Sequence, residues 1–65
     1  MSREIYKYTL TILEKVSFDA DLFITELKKA TQCLLPYELG ELQLWVNRYV
    51  YINPHLETAR LVLKN

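Results

Sequence analysis

Few side chains in this sequence could build a reactive or metal-binding site. Its 65 residues include one cysteine, one histidine, one glycine, one tryptophan and two prolines, and each scarcity closes off a class of protein. Cys33 cannot form an internal disulfide, and His55, with no ligand cluster beside it, gives no basis for a metal centre. A lone glycine excludes the glycine-rich loop that cradles a phosphate. Charge of one sign is missing too. Eight Lys and Arg stand against eight Asp and Glu, interspersed as in Arg3, Glu4, Lys7, Glu14 and Lys15, so there is no charged arm to grip a polyanion. The opening Met-Ser-Arg-Glu-Ile-Tyr-Lys lacks the apolar core of a secretory signal, and no run approaches the roughly 20 apolar residues of a membrane span. A cytoplasmic location is the default expectation, and a single cysteine suits a reducing compartment.

What is present is ordinary in amount. The hydrophobic share is 51% with the tyrosines counted. Leaving them out and adding the glycine brings it to about 45%, the usual apolar content of a globular chain. Five tyrosines are the unusual part, since tyrosine combines a large contact area with one polar tip and is enriched at interfaces. The length allows one domain, residues 1–65. A domain of that size buries only about 60% of the surface its unfolded chain exposes, so its stability is marginal, and many small domains recruit a disulfide, a metal or a partner subunit. Only the last of these is open to this chain.

The apolar spacing predicts an all-α fold: a compact bundle of three main helices, about 3–16, 20–34 and 36–52, plus a short C-terminal helix at about 54–63. In the first helix Ile5, Tyr8, Ile12, Leu13 and Val16 recur at helical intervals and are expected to face the core, with Ser2 as cap. Ser17-Phe18-Asp19 interrupts the pattern, and Asp19 is a good N-cap for a second helix with Asp21 in its first turn. That helix turns Phe23, Leu27, Ala30, Thr31 and Leu34 inward with Ile24 beside them, and leaves Glu26, Lys28, Lys29 and Gln32 in water. Pro36 biases Leu35 toward an extended conformation, ends the second helix and opens the third. Asn53-Pro54 repeats the device, Asn53 capping a segment with Leu56, Ala59, Val62 and Leu63 on one side. A β-hairpin from Tyr49–Ile52 and Arg60–Leu63 is the alternative, but Pro54 to Thr58 contains no glycine for a tight turn.

The third helix is apolar on two faces. At about 100° per residue, Leu39, Leu42, Val46, Tyr49 and Val50 form a full core stripe with Trp45 on its flank. Tyr37, Leu44 and Tyr51 recur every seven residues on another face, beside Gly40. A glycine inside a helix costs about 1 kcal/mol relative to alanine, which makes sense where something packs close. This second stripe is covered either by the C-terminal segment or by another molecule. If by another molecule, the interface residues are Tyr37, Gly40, Leu44 and Tyr51, and the simplest partner is a second copy, because a self-complementary patch closes without further partners; another helical protein is the other candidate.

Other sites fall to simpler readings. Cys33 is expected on the surface of the second helix near Glu26, Lys29 and Leu22, with no base to activate it. Glu38 and Glu41 read as solvated first-turn acids favoured by the helix dipole. No catalytic residue, cofactor, metal or small-molecule substrate is indicated, and the chain does not read as an enzyme. The short turn between the second and third helices suggests a helix-turn-helix-like nucleic-acid binder using Lys28, Lys29 and Arg48 as the alternative function, but three cations and zero net charge give it little counterion-release drive. The stretch Leu34-Leu35-Pro36-Tyr37-Glu38-Leu39, followed by Glu41-Leu42 and Trp45, resembles short all-helical bacterial proteins of unassigned function. The resemblance covers the middle of the chain, implies a helical tail and brings no site residue with it. The leading expectation is a small protein-interaction or oligomerisation module, homodimeric through the third helix.

Overall fold

Asp19 and Pro36 divide the chain. Asp19 is extended (φ −131°, ψ 113°), and its Oδ1 accepts hydrogen bonds from the backbone N–H groups of Asp21 at 2.9 Å and Leu22 at 3.3 Å. Two of the orphan donors that every helix start leaves are thereby satisfied. Upstream of it lies α1, Glu4–Lys15, and downstream α2, Ala20–Cys33. Pro36 opens α3, Pro36–Ile52, after Leu35 has left the helical region at φ −73°, ψ 158°. A 3₁₀ segment, Pro54–Ala59, and a single α-turn, α4, Arg60–Leu63, complete the described residues. The computed structural model describes residues 4–63, and among them there is no strand. The expected cap at Ser2 lies outside the described residues. The hairpin alternative for the tail is not adopted.

Residues 54–63 fill the molecule rather than trail from it. The 3₁₀ segment packs against both α2 and α3, α4 touches the same two helices, and α1 lies on α2. In a 3₁₀ helix residues three apart eclipse one another, so Leu56 and Ala59 stack on one side, and both are fully buried. This accounts for a tighter coil than the α-helix expected at 54–63. Leu56 itself sits at φ −99°, ψ 16°, which kinks the segment. Asn53 also departs from its expected role. Its Nδ2 donates to the Tyr49 carbonyl at 2.9 Å, so the side chain closes α3 behind it instead of capping the segment ahead. His55 fastens the segment from outside: its Nε2 lies 2.7 Å from the Ser17 carbonyl oxygen. A carbonyl only accepts, so Nε2 carries the proton and donates.

The core faces of α2 and α3 follow the predicted spacing except at Thr31, which is only half-buried and turns its hydroxyl to the Lys28 carbonyl at 2.6 Å. Phe23, Leu27, Ala30 and Leu34 of the second face meet Leu42, Val46 and Val50 of the third, together with Leu13, Leu56 and Ala59. The Phe23 and Tyr49 rings stack with centroids 5.9 Å apart, and Tyr49 stacks in turn on Trp45 at 4.6 Å. Such ring pairs add about 0.5–1.5 kcal/mol each beyond their buried area. The radius of gyration, 10.7 Å, matches the roughly 11 Å of a compact folded chain of this length.

α1 is turned differently from the expectation. Tyr6 and Leu13 are buried, with Leu10 and Val16 packed against them, while Ile5 and Tyr8 are exposed and Ile12 is half-buried. The apolar side chains of this helix span an arc of about 200° at 100° per residue, so two overlapping stripes were available. The core takes the one through Tyr6, Leu10 and Leu13.

Candidate functional site

On α3 the two apolar faces lie back to back. Leu42, Val46 and Val50 are buried, and on the opposite side Tyr37, Leu44 and Tyr51 are 58%, 64% and 87% exposed. The C-terminal segment packs on the core side of this helix, so no part of the described chain covers the outer stripe. Gly40 lies in that stripe, and a Cβ built on it would meet nothing within 4 Å. Its φ is not positive, so backbone conformation does not demand glycine there. Leu35 and Ile52, at the two ends of the helix, are exposed as well. Of the ten large hydrophobic residues that are exposed among those described, five therefore belong to α3 or its cap. Glu41 and Arg48 are exposed on the same helix and fall within the outer arc by the helical angle. Asn47, Arg48, Tyr51 and Ile52 line a shallow depression at its C-terminal end.

Glu38 is not the solvated acid that its position suggests. It is 5% exposed, because its side chain folds back over the start of α3 and Oε1 accepts the Leu35 N–H at 3.0 Å. This is half of a capping box; the reciprocal bond needs a polar side chain that Leu35 does not have. Glu41, by contrast, is exposed, so the two glutamates do not form a shared acidic site.

A second apolar surface comes from the turn of α1. Ile5, Tyr8 and Ile12, displaced from the core, line a groove of about 250 Å³ against Ala30 and Cys33 of α2. Glu26 and Lys29, an ion pair at 3.4 Å, also line it. Sequence spacing missed this surface by assigning its residues to the core; the competing stripe through Tyr6, Leu10 and Leu13 was the available signal. Cys33 is exposed, as expected. Lys28 and Arg48 are exposed on different helices, and Lys29 is held by Glu26. Among the described residues no three His, Cys, Asp or Glu side chains gather as a metal site, and no helix is long and apolar enough to cross a membrane.

The arrangement offers shape and apolar area on two surfaces, the outer face of α3 and the α1–α2 groove. No family model, curated protein or solved structure matches the chain, so a functional reading has to come from these surfaces.

Proposed function

We propose that this chain is a small protein-interaction module, a bundle of three main helices closed by its C-terminal segment, that forms a homodimer through the outer face of α3. The observation that carries the reading is the exposure of Tyr37, Leu44 and Tyr51 on a helix whose core face is already complete. A contiguous apolar stripe of that kind marks an association surface more often than a scatter of single exposed residues does. Tyrosines with a central leucine are suited to it, since aromatic anchors carry much of the energy of protein interfaces. Association also supplies what a 65-residue domain lacks, because a partner that binds only the folded state stabilises it. A reducing, cytoplasmic setting fits an exposed Cys33. The nucleic-acid reading through Lys28, Lys29 and Arg48 has no comparable observation in its favour.

Sedimentation equilibrium tests the proposal directly. The unmodified chain is expected to sediment as a dimer at micromolar concentration and Leu44→Glu as a folded monomer, since leucine and glutamate have similar helix propensities. Burying the remaining 64% of Leu44 is worth about 1–2 kcal/mol per chain at about 1.5–3 kcal/mol for a whole side chain. Two copies per dimer make a loss of roughly 30- to 1,000-fold in affinity. A monomeric unmodified chain at high micromolar concentration refutes the reading.

A further inference from the structure

We infer that the two copies of α3 pair antiparallel, about a twofold axis passing beside Leu44; this rests on the α3 dimer proposed above and specifies its geometry. The first support is symmetry of spacing. Tyr37 and Tyr51 stand seven residues either side of Leu44, and all three are exposed. In an antiparallel pair centred there, Leu44 faces the partner's Leu44, and Tyr37 faces the partner's Tyr51. An isologous contact requires this kind of self-complementary surface.

The second support is the sign of the charges. Glu41 lies three residues before Leu44 and Arg48 four residues after it, both exposed. Both lie on one flank of the stripe at about 100° per residue, and run parallel the helices place that flank and its copy on opposite sides of the seam, so neither charge meets the partner's. Run antiparallel, each Glu41 comes beside the partner's Arg48, so the same residues make two opposite-charge contacts. Charge arrangement of this kind fixes helix orientation in paired helices. Gly40 then has a role that the isolated chain does not give it. It lies in the stripe that the partner covers, and the open space where its Cβ would be lets the partner helix approach closely.

Charge reversal and cysteine crosslinking read the orientation independently. By sedimentation, Arg48→Glu is expected to weaken the dimer roughly tenfold by turning both attractive contacts repulsive, and the double variant Glu41→Arg with Arg48→Glu to recover most of the loss. In a Cys33→Ser background, a mixture of Glu41→Cys and Arg48→Cys chains is expected to form a disulfide under mild oxidation that neither chain forms alone. A dimer in which Glu41→Cys crosslinks to itself, or in which Arg48→Glu leaves affinity unchanged, overturns the antiparallel geometry while leaving an α3 dimer standing. A chain that stays monomeric, or a dimer indifferent to Leu44→Glu, overturns the α3 dimer itself.

Discussion

Replacing Leu56 by alanine tests whether the C-terminal segment is part of the core or a loosely held end. Leu56 is fully buried in a segment that packs on both α2 and α3, so neither helix can close over the vacated volume without losing the other. Leucine-to-alanine changes at buried sites cost about 2–5 kcal/mol, with the upper range where the surroundings cannot collapse. Total stability at about 0.05–0.15 kcal/mol per residue comes to roughly 3–10 kcal/mol for a chain of this length. The substitution thus removes between a fifth and all of it. With a urea slope of about 1 kcal/mol per molar, the midpoint falls by about 2–5 M, and the melting temperature by on the order of 10–40 °C. Trp45 is the only tryptophan and stacks on Tyr49 beside Phe23, which makes its fluorescence a probe of the same core. Leu61, exposed on α4, is the control: its alanine variant is expected to stay within about 0.5 kcal/mol. Both are compared at one protein concentration, because association shifts apparent stability. A loss below about 1 kcal/mol for Leu56→Ala, or equal losses at both positions, refutes the packing argument.

Three further outcomes follow from named side chains. Tyr6→Ala is expected to cost several kcal/mol and Tyr8→Ala less than about 1 kcal/mol, since only the first ring is buried; the opposite order in urea titrations shows α1 turned the other way. Asp19→Ala removes the acceptor for two backbone N–H groups and is expected to lower stability by about 1 kcal/mol, with Asp19→Asn losing much less; equal losses in the two show that the cap bonds do not matter. Gly40→Ala, measured in the monomeric Leu44→Glu background, is expected to raise stability by about 0.5–1 kcal/mol because nothing occupies the Cβ position, while in the parent chain the same change weakens the dimer. A loss of stability in the monomeric background contradicts the open position.

The helix boundaries were legible in the sequence because each rests on one local interaction. Asp19 caps α2 with its own oxygen, and Pro36 ends one helix and starts the next through its ring and its missing N–H. The inward faces of α2 and α3 were legible for a different reason: each carries one stripe dense enough to be a core. α1 defeats that method. Its apolar arc is about twice as wide as a core stripe, and which half turns inward depends on what α2 presents, a tertiary fact absent from local spacing. Glu38 was misread because a first-turn glutamate has two favourable states, solvated near the dipole or folded back onto the capping N–H, and position alone does not separate them. The tail was legible as helical but not as 3₁₀, since the tighter coil follows from bringing Leu56 and Ala59 into one narrow space between two helices.

The wide arcs on α1 and α3 have different consequences. On α1 the surplus side chains lie against α2 and are partly sheltered by it, forming the groove through Ile5, Tyr8 and Ile12. On α3 the surplus points directly away from the core, so no rotation of this helix shelters one stripe without exposing the other. Tyr37, Leu44 and Tyr51 are not part of the core, which buries eleven hydrophobic residues among those described. Substitutions along the outer stripe can therefore change association while leaving the fold intact, a separation that small domains rarely permit because most of their large apolar side chains serve the core. Leu44 is the most direct place to test it, being central to the stripe and flanked by residues whose charges indicate how a second copy would lie.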